Sequence, residues 1–528
     1  MGVINRAVSA IAPQWALKRA RARKGLQIMN TGYSHHGASI TKKAFRGWFF
    51  GGGSHKEDIE DNLSVLRQRS RDLYMGVPLA TGALKACRTN VVGQGLKLKS
   101  QIDHDFLGLT EDEARTLERQ IEQEFALWAD STACDIERLD TFSELQQLAF
   151  LNWLMSGDVL VTLPTTKRPC MPYDLRIRLI EADRLSNPYS EFSPRIIGGV
   201  EVNDMGEVVA YHISTQHPLS WQYSETKWTR VEAYGEKTGR RNVLHIMNRE
   251  RIGQRRGVPF LAPVIEALKQ LGDYTEAELV AAVVSGLFAV FIQKKEDSDG
   301  DPVTGVNDDE QIDSDDESTV ELAPGAVQYL LEGEEANAVT PGRPNSNFDP
   351  FVTSICRQIG AALEIPYEIL LKHFTSSFTA SRGALLEFWK MVKMYRNWLA
   401  NDFCQPIYEE WLAEAVAKGR IAAPGFFADP LVRRAYCGAE WNGPAQGLLD
   451  PVKEVNAAER RVKNCFSTTE REAAEMNGSD FYRNAQQRKQ EIKIMQEVNG
   501  NAEQKAAPEP AQPQQPEPAP DAGQQPEQ

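Results

Sequence analysis

From Glu57 to about Asn90, apolar positions recur every three to four residues, with Leu63, Leu66, Leu73 and Leu84 set among charged neighbours. That spacing predicts helix. Pro78 divides the run in two, because proline lacks the N–H that an interior helical position needs. RTNVVGQGLKLKS follows, and its Gly93 and Gly95 end the helix and open an extended segment. Two further helices are predicted over about 111–129 and 142–156. From 157 to 250 the period changes to two. GDVLVTLP, DLRIRLIEADRL and EVVAYHI alternate apolar with polar residues, as half-buried strands do. GGVEVNDMGEVVAYHI reads as a hairpin turning at Asn203–Gly206.

The helical period returns at Pro259, a residue favoured in a first turn. Leu261, Ile265, Leu268, Leu271, Leu279, Val283 and Leu287 mark an apolar face that continues to about Ile292. Some 30 residues of helix would be about 45 Å long, and few globular domains need that; Gly272 and Gly286 are where it would bend. LAPGAVQYLLEGEE reads as a short β unit, and FDPFVTSICRQIGAALEIP as a helix ending before Pro366. HFTSSFTASR, a Ser/Thr-rich link, leads into another very long helix, with Leu385, Trp389, Val392, Leu399 and Phe403 near one stripe. Pro406 should kink it and Gly419 should stop it. Residues 420–500 are mixed, and from Asn501 onward the Pro/Gln-rich sequence is low-complexity and expected to be disordered. The fold class is therefore α+β, mainly helical, with a β-rich insert.

Composition narrows the function. The chain has 528 residues, a formal net charge of -14 and a pI near 5.3. An acid excess argues against wrapping nucleic acid with the whole surface, since phosphate binding needs a basic footprint. A local basic groove stays open, and a wall that DNA passes without sticking fits as well. Residues 1–55 form a basic, Gly-rich arm, able to touch nucleic acid or to dock on a neighbouring subunit. Glu296–Glu317 is densely acidic, but Pro302 stands where a calcium loop needs its turning glycine, so a solvated loop is expected. Seven scattered cysteines form no CxxC pair, which reads as reduced thiols. The longest apolar run, Leu279 to Ile292, is interrupted by Ser285 and Gly286 and is shorter than the roughly 20 residues of a membrane span, so no membrane partner is expected.

Familiar catalytic motifs are missing from the sequence. It has no GxxxxGK[ST] phosphate cradle, no HExxH pair and no GxSxG elbow. No catalytic, cofactor-binding or metal-ligating residue is expected, and His245, at a predicted strand end, reads as a structural histidine. One stretch still asks for a role. HIMNRERIGQRRGVPFLAP places Arg249, Arg251, Arg255 and Arg256 together in an acidic chain. Such a cluster grips either phosphate or carboxylates, since the guanidinium fork suits both.

Several blocks together resemble the portal proteins of tailed bacteriophages, of the lambda type. They begin with RQRSRDLYMGVPLATGALKACRTNVVGQGL and continue through LRIRLIEADRL, GGVEVNDMGEVVAYHISTQHP and HIMNRERIGQRRGVPFLAP. SSFTASRGALLEFWK, FCQPIYEEWLAEAVAKG and EWNGPAQGLLDPVKEVNAA complete the series over about 60–480. The acidic segment and the Pro/Gln tail carry none of these motifs.

The resemblance implies a ring, usually of twelve subunits, at the unique capsid vertex. Double-stranded DNA would pass through it during packaging and ejection. Terminase, the head–tail connector, and the major capsid and scaffold proteins would be its partners. It would assemble in the host bacterial cytoplasm and reside in the virion. The portal-type fold has a wing, a long-helix stem, a clip and a crown. By resemblance the wing takes 56–258, the stem helices 259–291 and 347–363, and the clip 292–346 between them. The tunnel loop takes 364–380, a long kinked helix 381–418, and crown and part of the wing 419–500, before a tail at 501–528. Lys372, His373, Ser376 and Ser377 become candidates for touching moving DNA, unless the serines merely cap the next helix. Arg249, Arg251, Arg255 and Arg256 become candidates for carboxylate pairing within or between subunits, with DNA contact as the rival. The alternatives are a packaging enzyme, terminase ATPase or nuclease, or another ring-shaped head–tail adaptor.

Overall fold

The computed structural model describes residues 51–169, 171–188, 195–221, 226–286, 290–292, 327–329, 347–374, 377–446, 451–479 and 481–503, with the single residues 14, 18, 43 and 193. Residues 1–58 and 59–528 form separate compact units. In the first, the helical turn His55–Asp58 is held by the Glu57 carboxylate, which accepts from Ser54 N (2.9 Å).

The second unit opens with α1 (Leu63–Gly76) and α2 (Pro78–Val91), and the residue between them, Val77, is extended. Pro78 therefore begins a helix rather than kinking one. Gly93 and Gly95, both at positive φ, turn the chain into β1 (Lys97–Ser100). α3 (Glu111–Ala129) and α4 (Phe142–Ser156) each start in a capping box, Thr110 with Glu113 and Thr141 with Glu144.

Two antiparallel sheets form the β-rich insert. In the first, β2 (Asp158–Thr162) lies between β3 (Arg178–Glu181) and β8 (Val243–Met247). The second runs in order from β4 (Ile196–Ile197) through β5 (Val200–Val202) and β6 (Val208–Ser214) to β7 (Trp228–Glu232). Its β5–β6 hairpin turns at Asn203–Gly206, where Gly206 N donates to Asn203 O (2.9 Å). Leu160, Ile180, Leu185, Val200, Tyr211, Ile213, Ala233 and Val243 bury one another in the core of this insert.

The helix expected from Pro259 to about Ile292 is shorter. A 3-10 turn spans Ala262–Val264, α5 runs Ile265–Gly286, and β9 (Val290–Ile292) pairs in parallel with β10 (Val327–Tyr329). Pro263 is the cause at the front end, because a proline suits only a first turn. α6 (Phe348–Ala362) packs beside α5, with the Tyr274 ring stacked on Phe348 (5.6 Å) and edge-on to Phe351 (5.2 Å). The acidic segment lies outside the described residues.

α7 (Phe378–Leu399) begins inside the segment expected to be loop. It leads through a π-helical turn, Ala400–Cys404, into α8 (Gln405–Ala417). Pro406 explains that turn. It cannot donate to the carbonyl four residues back, so the ladder widens and Gln405 N reaches five residues back to Ala400 O. Gly419, at φ +70, ends α8. α9 (Pro430–Tyr436) and β11 (Ala439–Asn442) follow, and β11 pairs antiparallel with β1. The aromatic centre of the main core lies among α3, α4, α8 and β11. There the Phe125 ring meets Trp128, Phe142, Tyr408, Trp411 and Trp441 at centroid distances of 5.1 to 6.0 Å. α10 (Pro451–Lys463), α11 (Thr469–Asn477) and α12 (Phe481–Glu503) close the described chain. Helix thus persists past Asn501, and the rest of the expected Pro/Gln tail lies outside the described residues.

Candidate functional site

The arginine cluster divides into inward and outward members. β8 ends at Met247, and the loop after it is built around the buried Gln254. Its carbonyl oxygen accepts from Glu250 N (2.9 Å) and Arg251 N (3.0 Å), and its amide donates to Arg256 O (2.7 Å). That turn leaves Arg249 and Arg251 exposed and sends Arg256 into the protein. Arg255 is half-buried, its N–H donating to Glu60 (2.8 Å) and its guanidinium to Gly206 O (2.6 Å) on the hairpin.

Arg256 ends on Asp158, whose side chain is fully buried. Its Nε donates to Oδ2 (2.7 Å) and one Nη to Oδ1 (3.2 Å). The remaining N–H groups reach the carbonyls of Leu185 and Gly198 (2.6 Å each) and Ala182 (2.5 Å). One guanidinium therefore fastens the first sheet to the loops that lead into the second.

Asp158 gathers three more donors. Arg67 lies on the buried face of α1 with Leu63, Ser70 and Leu73, and donates to Oδ1 (3.0 Å) and to Ser156 O (2.8 Å). Leu160 pairs with His245 across β2 and β8, so Asp158, two residues before Leu160, shares the face that His245 occupies. His245 Nε2 lies 3.1 Å from Oδ2, and Gly257 N donates to the same oxygen (3.1 Å). Since a carboxylate only accepts, the ring proton belongs on Nε2. Burial pushes the Asp158 carboxyl up, but Arg256, Arg67 and His245 outweigh it and hold it well below the usual carboxylate range. Burial and the nearby Arg256 bring the Arg67 guanidinium down to about 10.

A close backbone approach completes the hub. Gly157, at φ +90, ends α4, and a side chain there would strike the backbone of Gly257 and Val258. A Cβ on Gly257 would in turn stand 1.9 Å from Gly157 O. Only glycine fits on both sides. Helix α1, the first sheet and the entry to α5 are thus clamped at one point.

The second candidate region is the segment before α7. Tyr367–Leu370 forms one helical turn there, and His373 N donates to Glu368 O (3.0 Å). Lys372, at φ +53, and His373 are exposed, as is Phe374. Ser377 caps α7 by accepting from Ala380 N (3.4 Å), while Ser376 lies outside the described residues. Lys372 and His373 lie in a different part of the chain from the Asp158 hub.

Asp158 and Arg67 escaped the sequence reading. Their one visible signal was a charged residue at the head of an otherwise apolar strand, and an arginine at a leucine-stripe position. Among the described residues no three His, Cys, Asp or Glu side chains gather to hold a metal ion, and no helix is long and apolar enough to cross a membrane. The hub's charges are spent on one another and on main-chain carbonyls. Such a network fixes the angles between the elements it joins.

The family model for phage portal proteins of the lambda family matches residues 41–396. The chain belongs to that family, whose role is structural and whose members are part of the phage particle. It is 25% identical over 492 residues to portal protein B of Escherichia phage lambda, covering 90% of each chain. The portal protein of Escherichia phage N15 gives the same identity and coverage. Among solved structures, a chain from the neck of a native gene transfer agent particle, computed with C12 symmetry, matches with a TM-score of 0.37 and 11% identity, over 79% of this chain and 94% of that one. One from the neck of an empty particle, computed with C6 symmetry, gives 0.38 and 13% over the same shares.

Proposed function

We propose that copies of this chain close into a ring, expected to hold twelve subunits, at the unique vertex of a tailed-phage capsid. Double-stranded DNA passes through its centre during packaging and ejection. Terminase and the head–tail connector dock on it in turn, and it assembles with the major capsid and scaffold proteins in the bacterial cytoplasm.

The observation that carries this reading is the outer half of α5. Leu268 is buried at 1% exposure. Leu279, three helical turns further along the same stripe, is 66% exposed, and Val280 and Val283 are 56% and 59% exposed. The apolar stripe thus continues past the body that covers its first half. A run of large aliphatic side chains left in water calls for a neighbour, and in a ring the neighbour is the next copy. A head-to-tail contact of that kind closes only when its rotation closes.

The arginines divide their work under this reading. Arg256 serves the subunit's own frame, and Arg249 and Arg251, at the surface, serve carboxylates of an adjacent subunit. Arg255, tied to the hairpin, holds that surface in place. Arg255→Ala is expected to impair ring assembly, and normal rings with packaging alone lost would assign the cluster to DNA. Lys372 and His373 meet phosphate in passing, and the net acid charge of the whole chain, -14, discourages lasting contacts.

Mass photometry and negative-stain imaging of the purified chain without DNA test the whole. Closed rings with a central hole support the reading. A compact monomer that hydrolyses nucleotide overturns it in favour of a packaging enzyme.

A further inference from the structure

Helix α10 buries one residue, Ala458, and leaves much of its apolar side in water. Val452 and Val455 are 70% and 50% exposed, and Phe466, just past the helix end, is 80% exposed. Val462 continues the stripe, half-buried. The opposite side of α10 borders a groove of about 390 Å³, floored by Leu385, Leu386, Ala457 and Met476 of α7, α10 and α11.

The groove's lining balances three cations, Arg382, Lys453 and Arg461, against three anions, Glu454, Glu472 and Glu475. Arg461 Nε donates to Glu472 (2.8 Å), and Arg382 lies 3.9 Å from Glu454. With its charges balanced and its floor aliphatic, the groove suits an apolar knob better than an ion. At 100° per residue, Val452, Val455 and Val462 point roughly 160° around α10 from the groove-lining Lys453, Glu454, Ala457 and Arg461. The chain therefore carries a knob and a matching socket on opposite flanks of one helix. That is the requirement of a head-to-tail contact repeated around a ring, in which each copy offers different surfaces to its two neighbours.

We infer that the Val452–Val455–Val462 stripe of one copy seats in the α7–α10–α11 groove of the next, forming a second belt of contact apart from the α5 face. The inference rests on the ring reading and adds to it where two copies touch. Charge agrees with this occupant, since a lining of three cations and three anions carries no net sign to select a nucleic acid or an acidic peptide.

The test uses the full chain with Cys465→Ser, which removes an exposed thiol. Val455→Cys and Leu386→Cys are added singly and together, and the protein is treated with a short bismaleimide. The double variant is expected to give a covalent ladder reaching beyond dimers on a denaturing gel, with neither single variant nor the background doing so. Separately, Val455→Asp and Leu386→Asp should each raise the concentration at half-assembly at least tenfold, the scale expected when one valine or leucine loses its burial. Circular dichroism matching the wild type checks that each still folds. Rings that form normally while the double-cysteine variant yields no ladder overturn this contact and leave the ring reading standing. A wild-type chain that stays a compact monomer and hydrolyses nucleotide overturns both.

Discussion

Asp158→Asn tests whether the buried hub holds α1 and the first sheet to the entry of α5. The substitution keeps the shape and removes the charge. In the wild type, Oδ1 accepts from Arg67 and Arg256, and Oδ2 from Arg256, His245 and Gly257. An amide can offer acceptance on one side only, so whichever oxygen becomes nitrogen, at least two donors face a donor. Two buried guanidinium groups also lose their counter-charge. Breaking a buried pair by removing one partner costs about 3–5 kcal/mol. With a urea slope of about 3 kcal/mol per molar, the upper end for small proteins, the midpoint should fall by roughly 1 M or more. The pH dependence carries a second signature. The Asp158 carboxyl is depressed in the folded protein, so its contribution is complete above the unfolded value of about 3.9 and is lost as pH falls toward the folded one. The gap between wild type and Asp158→Asn should therefore be constant from about pH 7 to 5 and shrink below about pH 4. A difference under about 1 kcal/mol at neutral pH, or one that widens as acid is added, would refute the assignment of the clamp to this carboxylate.

Gly257→Ala should destabilise by about 2–3 kcal/mol in the same assay, because its Cβ would press on the main-chain oxygen of Gly157 at 1.9 Å, where no flexible side chain can yield. Leu279→Glu with Val283→Glu should leave the fold's circular dichroism unchanged and abolish rings by mass photometry, since both residues are already in water within one subunit. Lys372→Ala with His373→Ala should leave rings intact and slow packaging or lower DNA retention in a head-filling assay; unchanged packaging removes these two residues from the channel's chemistry.

The elements legible in the sequence are those whose ends are written locally. α3 and α4 start where a threonine and a glutamate three residues later close a capping box, and α1 stops because Pro78 opens the next helix. The hairpin at Asn203–Gly206 was readable for the same reason, since Asn203 Oδ1 accepts from Met205 N and Glu207 N within the turn (3.1 and 2.9 Å). Pro259 marks a helix start in the sequence, but the 3-10 turn holding Pro263 is what leads into α5. The pairing of β1 with β11 joins segments more than three hundred residues apart, and neither strand names its partner. α10 to α12 stayed unassigned because their apolar residues are few and face solvent within one copy.

The arginine cluster shows where such reading stops in principle. Four arginines within eight residues look like one patch, yet the buried amide of Gln254 turns the loop so that Arg256 points inward while Arg249 and Arg251 point out. What sets the fate of Arg256 is a carboxylate 98 residues earlier, reached by Nε at 2.7 Å. Spacing along the chain cannot encode that distance. It can, however, flag an imbalance. An aspartate at the head of a strand that is otherwise Val-Leu-Val needs a cation to be buried there, because an unpaired carboxylate would instead protonate or stay in water. A buried acid without a local partner thus predicts a distant arginine, and a run of arginines in an acidic chain predicts that at least one is answering it. Taken together, the two oddities point to each other, and the clamp between the first sheet and the entry to α5 is the result.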